Sequence, residues 1–177
     1  MNRKAIYRRA ARDDVLCIFE MARDFHSESE LGDIPFDDRV FASYLEGQIE
    51  DDMSCIFVAE VDGENVGFIF GSIYQLYFST TFAANSDIWY VRPEYRGGLI
   101  GVLLLRNFEK WAMNKGARFL VNGSSSGISL ERTHKLIERL GYESVGSEYR
   151  RDLNAVSYTH LRAHETRHDL VCRLLLE

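Results

Sequence analysis

The sequence predicts an α/β protein of the mixed α+β kind, with one largely antiparallel mixed sheet of about seven strands and helices on both faces. Three observations carry this. Apolar residues recur at helical spacing in some segments and cluster at strand length in others. The order of these segments is β-α-α-β-β-β-α-β-α-β-β. A tight hairpin early in that order makes strands antiparallel, whereas the later strand–helix–strand units bring strands back parallel.

Each element follows from its residues. Residues 5–10 read as the first strand. From residue 12 to about 27, Val15, Ile18, Phe19, Ala22 and Phe25 fall on one helical stripe. Residues 29–35 form a loop closed by Pro35. Asp37 or Asp38 caps a second helix that turns Val40, Phe41, Tyr44, Leu45 and Ile49 inward. Residues 55–61 and 66–73 are strands, joined as a hairpin by the turn Asp62-Gly63-Glu64-Asn65. A loop rich in Phe, Ser and Thr spans 75–83, and residues 85–91 are the fourth strand. Residues 99–115 form a helix with Leu103, Leu104, Phe108 and Trp111 on one stripe and Gly116 as its stop. Residues 119–121 are a short buried strand, and 130–140 a helix stopped by Gly141. Residues 142–145 and 148–153 close the domain as a hairpin through Gly146-Ser147.

The bulk properties exclude several classes. The chain of 177 residues has room for one domain with a proper core. Its net charge of -6 argues against a general binder of nucleic acid or anionic membrane. Cys17, Cys55 and Cys172 are odd in number and include no Cys-x-x-Cys pair, so neither a disulfide framework nor a zinc site is expected. The N-terminus has no signal-peptide pattern, and no run approaches the ~18 apolar residues of a membrane span. A cytoplasmic protein is expected.

The C-terminus reads differently from the rest. Residues 156–166 resemble the conceptual translation of an adaptor used in DNA library preparation. We therefore expect a native domain over residues 1–154 and a non-native tail over 155–177. His160, His164, His168 and Cys172 in that tail recur every four residues, a metal-ligand spacing on a helix, but a read-through artefact or an inert amphipathic helix is expected there rather than a metal site.

The chemistry points to the junction after the fourth strand. There, Tyr90-Val91-Arg92-Pro93-Glu94-Tyr95-Arg96-Gly97-Gly98-Leu99-Ile100-Gly101 runs straight into a helix. A helix start leaves N–H groups without partners and carries partial positive charge. Missing side chains at Gly97, Gly98 and Gly101 let an anion reach that backbone, with Arg96 as a nearby cation. A tight turn with close packing at Gly101 would account for the glycines equally well. A dinucleotide fold would place its glycines after the first strand, and a P-loop needs Gly-Lys-Ser/Thr, which is missing here.

The stretch resembles the coenzyme-binding segment of the GNAT superfamily of N-acetyltransferases, Arg/Gln-x-x-Gly-x-Gly/Ala after a strand ending aromatic-Val-x-Pro-x-Tyr-Arg. The likeness continues through Leu103-Leu104, Phe108-Glu109, Trp111-Ala112 and Lys115-Gly116-Ala117, and resumes at Glu138-Arg139-Leu140-Gly141-Tyr142. What it implies is a sheet splayed between strands four and five, with acetyl-CoA as co-substrate and no metal. The backbone of Tyr90 and Val91 would pair with the pantetheine arm. The amides of Arg96, Gly97, Gly98, Leu99, Ile100, Gly101 and Val102 would hold the pyrophosphate. Three positions depart from the pattern: Leu99 stands at the first signature glycine, Leu130 where many members have Asn, and Ile137 where many have a thiolate-protonating Tyr.

Direct transfer needs a neutral amine, hence a base. Asp87 is the candidate, on the fourth strand and, by the two-residue period, on the face of Val91; it could equally hold the substrate amine. Tyr149 and His134 are candidate proton donors to the thiolate, and both have ordinary roles as a packing and a surface residue. Residues 124–127 offer hydroxyls or simply a loop. Glu28, Glu30 and Asp33 make either an acidic rim or a solvated run, and Tyr74, Tyr77, Phe78 and Phe82 either a pocket floor or core. The expected reaction is acetyl transfer from acetyl-CoA to an amine of a small molecule or peptide, without nucleic acid or membrane; a homodimer is left open. The competing reading is a catalytically silent acetyl-CoA-binding module. An acetylating toxin acting on charged tRNA is disfavoured by the acidic balance.

Overall fold

The hairpin turn sets the register of the sheet. Asp62 (φ 53°) and Gly63 (φ 85°) both adopt left-handed backbone, the conformation a two-residue type I′ turn requires. In the computed structural model, which describes residues 5–123, 126–151 and 153, this turn joins β2 (Ser54–Val61) to β3 (Glu64–Gln75). Around them lie β1 (Ala5–Arg9), β4 (Phe82–Val91) and β5 (Ala117–Asn122), in the order β1-β2-β3-β4-β5. All neighbours pair antiparallel except β4 and β5, which are parallel. The helices are α1 (Val15–Glu28), α2 (Asp38–Glu50), α3 (Ile100–Asn114) and α4 (Leu130–Arg139).

The expected mixed sheet covered on both faces is what forms. On one face Ile18, Met21 and Ala22 of α1 and Leu45 of α2 pack on Ile56, Val58, Phe68, Phe70 and Tyr90. On the other, Leu104, Leu105, Phe108 and Ala112 of α3 pack on Cys55, Ala59, Val66, Ile69 and Ala84. Phe108 is wholly buried, worth roughly 2–3 kcal/mol. It reaches the sheet because Gly71 has no side chain: a Cβ there would stand 2.5 Å from the Phe108 ring. The caps follow expectation. Asp37 Oδ1 accepts from the N–H groups of Arg39 and Val40 at 3.0 and 3.1 Å, and Gly116 and Gly141 take the left-handed φ that ends α3 and α4.

The sheet has five strands rather than seven. The described residues of 143–153 form no strand, and the expected closing hairpin is missing from them. The physical reason is their exposure: Val145, Tyr149 and Leu153 bury no apolar face, and an alternating pattern with nothing to cover does not fix a strand. These residues belong to a second unit, Glu143–Glu177, apart from the unit Met1–Tyr142 that holds the sheet. The tail residues 154–177 lie outside the described residues. No helix among the described residues is long and apolar enough to cross a membrane.

Two irregularities in β4 matter for function. Phe70 pairs with Ile88 but Gly71 with Ser86, so Asp87 is an extra residue, a β-bulge. The pairing of β4 with β5 ends at Ser86–Asn122. Asn122 is the last residue of β5, so residues 87–91 of β4 run on with no β5 neighbour.

Candidate active site

The open edge of β4 presents backbone groups. The Arg92 N–H donates to Val66 O at 2.9 Å, which brackets Gly67–Val91 as a non-hydrogen-bonded pair. The N–H and C=O of Val91 therefore point away from β3, toward the side on which β5 has already ended. By alternation those of Trp89 do the same, while those of Tyr90 are spent on β3. Of the expected pair Tyr90 and Val91, the geometry leaves Val91 at the edge and puts Trp89 beside it. Asn122, the last residue of β5, adds a buried Nδ2 with no partner among the described residues. The sequence reading passed over Asn122; the available signal was a polar residue ending the apolar run Phe119-Leu120-Val121.

The chain leaves β4 through a 3₁₀ turn at Pro93–Tyr95 and enters α3 with no side-chain cap on its first amides. Gly97 takes φ 83°, and a Cβ at Gly97 or Gly98 would meet no atom within 4 Å. The backbone is bare on that side, the condition for an anion to approach free N–H groups. Leu99 sits at an ordinary right-handed φ of -88° with its side chain 69% exposed, so this position needs no glycine. The left-handed step of the loop falls at Gly97, two residues before Leu99. Ile100 packs against the α3-side core. Gly101 has the close packing that was the alternative reading of the glycines: its added Cβ would stand 3.2 Å from the Trp89 ring, and Trp89 Nε1 donates to Gly101 O at 3.1 Å. Its bareness lets helix and strand pack closely.

Arg96 is engaged rather than free. Its Nη1 and Nη2 donate to the Glu28 carboxylate at 2.8 and 3.0 Å, and its Nε donates to Val91 O at 2.6 Å. The guanidinium stacks on the Tyr90 ring, and the Tyr90 hydroxyl donates to the same carboxylate at 3.0 Å. The Arg96 hydrogen bonds hold the Glu28 carboxyl below its usual range. Burial, with Glu28 next, pushes the Tyr90 phenol up to about 12.

Asp87 lies where the bulge puts it, not where a two-residue period would. Ala84, Trp89 and Val91 belong to the α3 side, but Ile88 and Tyr90 to the α1–α2 side, so the parity of β4 changes at the bulge. Asp87 accepts from Asn85 Nδ2 at 2.5 Å, and its charge helps raise the phenol of Tyr44 on α2. It thus faces the α1–α2 side, opposite Val91. Solvent reaches the carboxylate, yet the protein crowded around the bulge raises its pKa, outweighing the Asn85 hydrogen bond. Beside it Tyr44, Phe41, Phe70, Ile88 and Gln48 line a small apolar cavity.

The other candidates scatter. Tyr149 lies in the second unit, 94% exposed and on no strand. His134 is exposed on α4. Glu30 donates its N–H to Ser126 O at 2.9 Å, and its side chain fills the space over Gly127, so it braces one loop on another. Residues 124 and 125 and the tail histidines lie outside the described residues. Tyr77 and Phe78 pair at the exposed tip between β3 and β4, while Phe82 packs on the α3-side core, so these aromatics form no common floor. Among the described residues no cluster of His, Cys, Asp and Glu is suited to a metal ion.

The model of the acetyltransferase (GNAT) family matches residues 17–142. No curated protein matches the sequence. The chain is similar in structure to the aminoglycoside N-acetyltransferase AAC(6′)-Iy in complex with CoA, at 20% identity and TM-score 0.69, over 85% of this chain and 97% of that one. It is similar to a ribosomal-protein-alanine N-acetyltransferase from Brucella melitensis biovar Abortus 2308, at 19% identity and TM-score 0.64, over 84% and 99%. It is also similar to the aminoglycoside acetyltransferase meta-AAC0020 from an uncultured soil metagenomic sample, in complex with sisomicin, at 17% identity and TM-score 0.65, over 83% and 95%. At these identities the likeness is one of fold.

Proposed function

Because the chain belongs to the acetyltransferase (GNAT) family, and so is an N-acetyltransferase with acetyl-CoA as donor, we propose that it moves the acetyl group directly onto an amine of a cationic acceptor, a small molecule or a peptide. The observation that carries this reading is the unpaired edge of β4 running into the bare loop at Gly97 and Gly98. The residues fit the donor. Amides from Gly97 to Val102 receive the pyrophosphate, with Arg96 as the adjacent cation. The outward groups of Val91 and Trp89 pair with the amides of the pantetheine arm, and Asn122 Nδ2 donates to one of its carbonyls.

On this reading the thioester comes to rest by the bulge and the amine enters from the α1–α2 face. Asp87, with its raised pKa, takes a proton from the ammonium. The neutral nitrogen attacks the acetyl carbon, the N–C bond forms as the C–S bond breaks, the nitrogen sheds its second proton to solvent to give the amide, and the thiolate leaves to take up a proton. Tyr149 is the proposed donor of that proton. Asp87 and Asp33 give the acceptor side negative charge, which favours an ammonium over a neutral or acidic acceptor. The relatives bound to or named for aminoglycosides and a ribosomal-protein alanine support both acceptor classes as trials. We place the reaction in the cytoplasm, in keeping with unpaired Cys17 and Cys55.

The second reading, a silent coenzyme-binding module, is favoured by Ile137 in place of the family's acid. Calorimetry with CoA and thiol release from acetyl-CoA against an amine panel, including sisomicin and an alanyl peptide, separates the two. Thiol release dependent on an amine supports the transferase. Binding without release across the panel supports the silent module, and a protein that binds no CoA refutes both.

A further inference from the structure

The cation of the phosphate-binding loop is already spoken for. Between residues 96 and 102 the only charged side chain is Arg96. Its guanidinium lies across the open edge of β4, with Nε on the outward-pointing Val91 carbonyl and both terminal nitrogens on Glu28, the last residue of α1. The Tyr90 hydroxyl holds the same carboxylate, and the Tyr90 ring underlies the guanidinium. The pair is bidentate, hence specific in geometry. Its side chains are nonetheless 35% and 30% exposed, where ion pairs are weak enough to exchange partners.

A pyrophosphate at the first turn of α3 would bring at least two negative charges beside that of Glu28, with one arginine between them. The guanidinium cannot offer the same fork to both. The arm that follows the pyrophosphate also needs Val91 O, which Arg96 now holds at 2.6 Å.

We propose that Glu28 is a built-in competitor for Arg96: acetyl-CoA draws the guanidinium off the carboxylate and so uncovers the Val91 carbonyl for the pantetheine arm. The proposal rests on the coenzyme site described above. It assigns Glu28 a role opposed to that of a simple brace. A brace would hold the loop in its binding conformation, and its loss would weaken binding. A competitor costs affinity, and its loss strengthens binding.

Calorimetric titration of CoA into the wild type, Glu28→Gln, Arg96→Gln and the double variant decides between them. Glu28→Gln keeps the shape and the hydrogen bond to Tyr90 while removing the charge. The expected result is CoA binding about 1.5-fold to fivefold tighter in Glu28→Gln, the scale of one part-exposed ion pair. Arg96→Gln binds more weakly, and in its background the gain from Glu28→Gln is largely lost. Unchanged or weaker binding in Glu28→Gln overturns the proposal in favour of a brace. An equal gain in both backgrounds also overturns it, since that is plain repulsion not routed through Arg96. A wild type that binds no CoA would instead refute the coenzyme site itself.

Discussion

Gly97→Ala isolates a single torsion angle of the phosphate-binding loop. Gly97 stands at φ 83°, whereas its neighbour Gly98 is not in the left-handed region, and a Cβ at either meets no atom within 4 Å. Crowding is therefore equal, and negligible, at the two positions. Alanine held left-handed costs about 1–2 kcal/mol. A cooperative unit of about 140 residues unfolds with an entropy near 0.3 kcal/mol per kelvin, so Gly97→Ala should lower Tm by roughly 3–7 °C. Gly98→Ala carries no such strain. It should be neutral, or stabilise by up to about 1 kcal/mol, because alanine restricts the unfolded chain. If Gly97→Ala relieves the strain by swinging the loop, the amides that follow turn away, and each 1.4 kcal/mol lost costs about tenfold in CoA affinity. Thermal melts by circular dichroism and CoA titrations on the three proteins supply both readings. Equal Tm and equal affinity for the two alanine variants would refute the role given to the Gly97 torsion.

Three further outcomes are expected. Asp87→Asn should lower kcat by about 100- to 10,000-fold with CoA affinity within about twofold, and should abolish the fall in activity as pH drops through the raised carboxylate pKa. A carboxylate whose pKa rises on folding destabilises the fold above that pKa, so the variant melts no earlier than wild type at pH 7 and the loss is not unfolding; an unaltered acid limb would remove Asp87 as the base. Gly101→Ala should weaken CoA binding through the clash with Trp89, and Trp89→Phe should restore most of it, whereas failure of that rescue would return Gly101 to direct contact with phosphate. Tyr149→Phe should reduce kcat while leaving CoA affinity alone, and an unchanged kcat would leave the thiolate to be protonated by water.

Much of the fold is legible in the sequence because its signals are local. The stripe Val15, Ile18, Ala22 and Phe25, the Asp37 cap, the Asp62-Gly63 turn and the stops at Gly116 and Gly141 each act over a few residues, and each appears where the sequence puts it. The terminal hairpin misleads for a related reason. Residues 142–153 carry a turn signal, but a strand needs a neighbour and a covered face, and neither is written in the segment itself. The site is legible as a loop and illegible as a network. Arg96 is recognisable as a cation, but nothing local reveals that Glu28 holds it from the end of α1. The glycines read as one group, although Gly97 answers to a torsion, Gly101 to the Trp89 ring, and Leu99 to neither. The sequence puts Asp87 on the wrong face because strict alternation assumes a regular strand, and a bulge is visible only through its partner, β3.

That bulge has a consequence for chain length. An extended residue spans about 3.3 Å, and Asp87 adds one such step to β4 that its neighbours lack. Removing it would leave Ser86 opposite Gly71 and Ile88 opposite Phe70, an uninterrupted ladder with the remaining side chains on their present faces. The sheet is thus complete without Asp87. The residue proposed to handle the proton is surplus to the scaffold. One inserted residue sets the carboxylate on the α1–α2 face and leaves the ladder around it whole.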